Sequence, residues 1–406
     1  MSYIKKGTAE FRNVNIALFA GGFDTFAILY STQPIMPDLS KQFHISPTVA
    51  SLSLSVTTIA LAFSMLLFGS LSEVWGRKIV MSFSLISASI LVILTAFVPG
   101  FHYLLLFRIL QGFVLAGLPA IAMAYIGEEI DPKSLGVAMG LYISGNSIGG
   151  MSGRIIIGTL TDFFGWRVAL GGIGILSAAA SILFWFKLPE SKHFVPRKME
   201  VSKLIKSMGN HLKNPRLLCL YFIGFLIMGS FVSLYNFIGY QLIAPPYLLS
   251  PTLVSFIFII YIIGTFSSTW AGRLADKYGH SKVLWIIVLV MIIGAIITLR
   301  INLAIKIIGI GIFTFGFFGS HSIASSFIGR LATHDRAQAS SLYLFFYYVG
   351  SSIGGTSGGT FWSAYGWVGV IGMISCFLII GVLLSLVIRS MTKKVIAAEH
   401  SSVQSK

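Results

Sequence analysis

Hydrophobic positions in this chain come in runs of about twenty, the length a helix needs to cross bilayer hydrocarbon. Twelve runs can be marked, at residues 14–36, 48–70, 79–98, 102–126, 134–159, 167–186, 217–240, 252–271, 283–299, 305–326, 338–360 and 367–388. The turns between them are too short for a separate soluble domain. The pattern predicts an all-α polytopic membrane protein, with 12 transmembrane helices in two pseudo-symmetric six-helix bundles. Its expected parts are an N-terminal bundle over 1–186, a basic linker over 187–216, a C-terminal bundle over 217–390 and a tail over 391–406.

The duplication shows in the polar interruptions. Gly69 to Lys78 reads G-S-L-S-E-V-W-G-R-K, and 203 residues later Gly272 opens a second copy, G-R-L-A-D-K-Y-G-H-S. Gly69, Leu71, Glu73 and Gly76 recur as Gly272, Leu274, Asp276 and Gly279, whereas the basic pair Arg77-Lys78 becomes His280-Ser281. The fifth run, G-L-Y-I-S-G-N-S-I-G-G-M-S-G-R from Gly140, has its counterpart in G-S-S-I-G-G-T-S-G-G from Gly350, with Gly359 in place of Arg154. Small residues at this spacing allow close helix crossing in membranes.

Composition agrees with the runs: 55% of residues are hydrophobic and 10% charged, against roughly a quarter charged in soluble domains. The net charge of +16 is not a nucleic-acid signature, because the basic residues lie between spans instead of clustering on one face with readers. With both ends inside, the cytoplasmic segments hold 23 Lys and Arg, and the external ones four (Lys41, Arg167, Arg300, Lys306). This asymmetry predicts a plasma-membrane protein with both termini cytoplasmic. The linker from Lys187 to Arg216 carries eight Lys or Arg and two acids, a composition that suits anionic headgroups. No cleavage site follows the first run, which is read as a span and not a signal peptide. Cys219 and Cys376 lack partners at disulfide or metal spacing. No phosphate-cradling G-x-x-x-x-G-K-[ST] occurs, and no feature supports an enzyme, a channel or a cofactor.

The candidate chemistry lies inside the spans. Asp24 is the acid near mid-membrane, where a charge costs about 3 kcal/mol or more unless paired or hydrated. Ala17, Ala20, Gly21, Ala27 and Ser31 share its helical face, while Phe19, Phe23, Phe26 and Tyr30 gather opposite. Asp24 is therefore either a proton-coupling group or a static structural acid, paired with an arginine or hydrogen-bonded. Arg108, Gln111 and Gly112 share one face of the fourth span, in which Pro119 predicts a kink. Arg154 either lines a cavity or snorkels to the outer interface. Two arginines against one acid leave one positive charge unmatched, which would favour an anionic or zwitterionic solute. His321 is either a second titrating group or a hydrogen-bonded core residue. Asn236 and Tyr240 line the cavity or belong to the outer aromatic belt. Asp131 and Pro132 read as cap and first turn of the fifth span.

The duplicated turn, the R-x-x-Q-G from Arg108 and the six-plus-six layout together resemble the major facilitator superfamily. The text around Gly140, the Q-A-S-S-L-Y-L-F after Ala337 and the H-S-I-A-S-S from His321 are similar to its YnfM-type, acriflavine-sensitivity branch of presumed drug exporters. The resemblance covers nearly the whole chain. It implies a monomeric secondary transporter that moves a small molecule by alternating access, coupled to protons and seated among membrane lipids. Export of amphiphilic drugs or metabolites is the first reading. Import of a small polar or anionic solute, and a non-transporting sensor, are the others. It also implies a cytoplasmic gate at Gly69, Glu73, Gly76, Arg77 and Lys78, near the start of span eleven, with Asp276 in a weaker second latch. The chain departs from the family's antiporter motif, G-P-x-x-G-G in the fifth span, by holding Asn146 where the proline is expected. The cavity candidates are Arg108, Gln111, Asn146, Arg154, Asn236 and Tyr240.

Overall fold

The computed structural model describes residues 3–194 and 201–404; six residues of the expected linker, 195–200, lie outside them. Nine helical runs among the described residues are long and apolar enough to cross a membrane. One of them, 336–392, contains two of the predicted spans. The chain folds into two compact units, residues 1–200 with 238–259 and residues 201–237 with 260–406.

In the first unit, α1 (Ala9–Leu29) starts at Thr8, whose hydroxyl accepts from Phe11 N at 3.1 Å. The helix ends five residues short of Pro34, and a turn leads into the short α2 (Met36–Phe43). Then follow α3 (Pro47–Trp75), α4 (Arg77–Thr95), α5 (Phe101–Leu115), α6 (Gly117–Glu129), α7 (Leu135–Phe164) and α8 (Trp166–Lys187). The fourth span is two helices that break at Ala116. Pro119 lacks the N–H that would bond the carbonyl of Leu115, so the ladder opens where the proline predicts a kink. Asp131 accepts from Lys133 N at 2.9 Å and caps a single 3₁₀ turn, Pro132–Ser134, ahead of α7.

The second unit takes α9 (Val201–Leu212) and the first part of α10 (Pro215–Ile243). The end of α10, the loop after it and α11 (Pro251–Ser255) belong to the first unit. The second unit resumes with α12 (Tyr261–Tyr278), α13 (His280–Ile297), α14 (Leu303–Leu331) and α15 (Arg336–Gln404). Within α15, Gly366 at φ 59° and ψ −146° separates two helical arms.

The duplication is written into the joints. Gly76 (φ 93°) and Gly279 (φ 95°) make the turns between α3 and α4 and between α12 and α13. That is a left-handed backbone region which favours glycine. Two helix starts also repeat: Ser46-Pro47 opens α3 and Ser250-Pro251 opens α11, each serine capping the N–H three residues on. The packing recurs as well. A Cβ on Gly149 of α7 would stand 2.2 Å from Phe23 O of α1, and one on Gly350 of α15 would stand 2.1 Å from Phe225 O of α10. In each unit a glycine row brings one helix down onto the backbone of another.

Gly149→Val is expected to cost about 1–3 kcal/mol through overpacking and to lower the melting temperature of the purified protein. Gly140→Ala, on the same helix but facing open space, should leave it unchanged or raise it.

Candidate functional site

Asp24 is completely buried on α1 and faces serines on two other helices. Ser181 of α8 donates to Asp24 Oδ2 at 2.9 Å, and the hydroxyls of Ser181 and Ser89 (α4) are 3.0 Å apart. Ser89 in turn reaches Leu85 O at 2.9 Å. Ser177, one turn before Ser181 on α8, is the other serine beside the carboxyl. Among the described residues no cationic side chain pairs with Asp24. A buried carboxylate served only by hydroxyls fits a neutral carboxylic acid, or one neutralised by a small bound cation, better than a bare charge.

Arg108 does something else. It is fully buried, and its guanidinium makes five hydrogen bonds. Nε donates to Ser53 O at 2.7 Å, and Nη2 donates to Leu29 O at 2.6 Å. Nη1 reaches Ile28 O at 3.0 Å, Ser31 Oγ at 3.2 Å and Gln111 Oε1 at 2.7 Å. Gln111 then donates to Thr95 Oγ1 at 2.8 Å. A Cβ on Gly112 would lie 2.2 Å from Thr57 O, so this glycine sets the approach of α5 to α3. The R-x-x-Q-G text therefore fastens four spans around the carboxyl-terminal end of α1. That end carries the negative pole of the helix and unsatisfied carbonyls, which a guanidinium fork is built to take.

Arg154 of α7 is 2% exposed, which places it inside the unit and not at the water interface. Its Nε donates to Gln33 Oε1 at 2.6 Å, and Nη1 donates to Gly150 O of its own helix. The guanidinium carbon sits 4.0 Å from the centre of the Tyr30 ring and 4.9 Å from that of Phe258. Asn146, one helical stretch before it, packs its amide oxygen into the space left by Gly22 of α1. Tyr240 accompanies a bracket that holds segment 238–259 to the first unit. Its hydroxyl donates to Met36 O at 2.9 Å and lies 2.7 Å from Ser40 Oγ. Asp162 at the end of α7 accepts from Thr252 Oγ1 at 2.6 Å and from Thr252 N at 3.3 Å.

In the second unit, His321 Nδ1 lies 2.8 Å from the hydroxyl of Tyr343, and its ring packs on Tyr347 at 4.7 Å between centroids. Asn236 is buried on α10 beside Tyr235, whose hydroxyl is 2.8 Å from Thr314 Oγ1.

At the duplicated turn, Arg77 forks onto Glu128 at the end of α6, with Nη2–Oε1 2.7 Å and Nε–Oε2 3.1 Å. It also donates to Ser72 Oγ at 2.5 Å, and Ser72 Oγ donates to Gly69 O at 2.7 Å. Lys78 meets Glu190 at 3.3 Å. Glu73 is half-exposed and has no ion-pair partner among the described residues of its unit. In the second copy Asp276 pairs with Arg330 at the end of α14, 2.6 Å away. The charges are exchanged: base on the turn and acid on the neighbouring helix in one unit, acid on the turn and base on the helix in the other.

Sequence reasoning missed the acids that complete the first turn. Gly127-Glu128-Glu129 closes the fourth span, and the only cue was an acidic pair at a helix end. Glu129 is fully buried, accepting from His193 N at 2.8 Å with His193 Nδ1 at 3.1 Å, while its carbonyl accepts from Ile4 N at 2.8 Å.

Apolar helices of spanning length, closed on internal polar clusters, define a multi-pass membrane protein. The family model of the Major Facilitator Superfamily matches residues 18–354 and 228–404. The chain belongs to that superfamily and is a transporter of the YnfM type. It is 55% identical to the MFS-type transporter YybF of Bacillus subtilis (strain 168), over 95% of each chain. It is 46% identical to the inner membrane transport protein YnfM of Escherichia coli (strain K12), over 94% of this chain and 91% of that one. Its fold is similar to that of a solved nucleoside transporter, NupG, with a TM-score of 0.77 at 16% identity, over 93% of this chain and 99% of that one.

Arg108→Lys is expected to lower the melting temperature sharply, since an ammonium cannot span the same acceptors. Each buried partner left unmade costs about 1–3 kcal/mol. A loss of transport with the melting temperature unchanged would make Arg108 a substrate residue instead.

Proposed function

We propose that this transporter is a proton-coupled exporter of small amphiphilic molecules, seated in the plasma membrane with both termini cytoplasmic, and that Asp24 carries the coupling proton. The observation that supports this most is the setting of Asp24: an acid wholly withdrawn from water, met by serine hydroxyls and by no cation among the described residues. Such a group is most comfortable with a proton on it, and it must meet water or a cation to release one. Ser181 links Asp24 of α1 to Ser89 of α4 through hydroxyl contacts. The arginines support an amphiphile over an anion. Arg108 is engaged by five acceptors and Arg154 is held by Gln33 and two aromatic rings.

The turn at Gly69 to Lys78 acts as the cytoplasmic gate. Arg77 and Lys78 brace the turn against their own unit through Glu128 and Glu190, which leaves Glu73 as the acid free to favour one state over the other.

In inside-out vesicles, a fluorescent lipophilic cation should evoke proton movement with the wild type and at least tenfold less with Asp24→Asn, while substrate exchange persists. Equal proton movement in both would remove Asp24 from coupling. Glu73→Gln is expected to raise the labelling of single-cysteine probes on the cytoplasmic side by a modest factor, of the order of a contact worth up to about 1 kcal/mol. Unchanged labelling would leave the turn with a folding role.

A further inference from the structure

The first unit carries an open groove of about 730 Å³ that the transport reading does not use. Its floor is the aromatic edge of α1, with Phe19 and Phe23; Leu141 of α7 forms one wall, and Leu176 and Leu183 of α8 form the other. The surface is almost wholly apolar, as a lipid-facing groove should be. Its one charged lining residue is Arg12, in the first turn of α1. Lys187, the last residue of α8, lies one helical turn beyond Leu183 on the same face. The ion pair between Glu10 and Lys192, 2.9 Å, sets the start of α1 beside the segment that follows α8. Arg12 and Lys187 therefore lie at the end of the groove where α1 begins and α8 ends. Both are exposed, and neither has an ion-pair partner among the described residues.

We propose that this groove is a binding site for an anionic phospholipid of the surrounding bilayer, with one acyl chain along α1 and the phosphate between Arg12 and Lys187. The dimensions fit one leaflet. From Arg12 to Phe23 the helix rises roughly 16 Å, close to half of the ~30 Å hydrocarbon core. A chain whose phosphate lies at Arg12 thus ends near the level of Asp24. The apolar walls give affinity for any acyl chain, and the two cations select an anionic headgroup.

The test is native mass spectrometry of the purified protein equilibrated with equal amounts of phosphatidylglycerol and phosphatidylcholine of the same chains. The wild type should retain phosphatidylglycerol in preference. At about fivefold per cation, Arg12→Gln with Lys187→Gln should weaken its binding about 25-fold, and should weaken phosphatidylcholine, whose choline offsets its phosphate, by much less. Ala180→Trp, which fills the groove, should reduce both. If that variant does not fold, Leu141→Trp fills the same space from the other wall, with the same expectation. Equal retention of the two lipids by the wild type overturns the proposal, as does phosphatidylglycerol retention that survives both kinds of variant. Displacement of lipid by a lipophilic cation that binds more tightly to the glutamine variants assigns the groove to a substrate and equally overturns it.

Discussion

An α-helix that stops inside a membrane protein leaves carbonyls that water cannot reach, and α1 stops this way at Leu29. The guanidinium of Arg108 takes the carbonyls of Ile28 and Leu29 and that of Ser53 on α3, while Gln111 ties the same group to Thr95 at the end of α4. Unmade, these contacts would leave a buried charge and the carbonyl of Leu29 without a donor at once. Made, they hold the end of α1 in one place, and α1 carries Asp24. The placement of the acid among the serines of α4 and α8 therefore rests on an arginine that never touches it.

The two units share a backbone plan and differ in what they do with polar side chains. The same left-handed glycine makes the turn at Gly76 and Gly279, yet the ion pair that braces each turn has its charges exchanged. A similar substitution occurs at the opposite ends. Arg167, over the ring of Trp166, donates to the carbonyls of Ala96 and Val98 after α4. In the second unit Lys306 donates to Thr298 O after α13 and lies over Trp367. The cation comes from a different helix in each case. What duplication preserves is the need to satisfy a helix end, and either unit meets it with whichever neighbour lies near. The acid Asp24, the two buried arginines and the glycine-for-arginine exchange at Gly359 then let the halves diverge in chemistry on one scaffold.

Much of this is legible in the residues because it follows from periodicity and from single-residue backbone limits. Runs of spanning length, the break near Pro119, the cap at Asp131 and the close crossing of the glycine rows need only the chain itself. Hydropathy carries the first span too far, to residue 36, because it cannot tell a helix from an apolar turn; the captured carbonyls of Ile28 and Leu29 mark its real end. The site is less legible. An arginine and an acid in neighbouring spans invite a pairing, but direction around a helix decides, and Asp24 points to α8 and α4. Arg154 lies a few residues before a loop, where snorkelling is the usual outcome, yet Tyr30, Phe258 and Gln33 close over it.

The sequence by itself determined that the chain is a membrane-embedded helical duplication with polar turns at set places, since these depend on local hydropathy and on which residues tolerate a left-handed backbone. Only the tertiary structure decided the partners: that Arg108 is a helix-end clasp, that Asp24 is kept by serines, and that Arg77 reaches Glu128. In a medium without water a buried polar group is costly unless a partner meets it, and that partner can lie on any helix brought near, at a separation in the chain that no local pattern encodes.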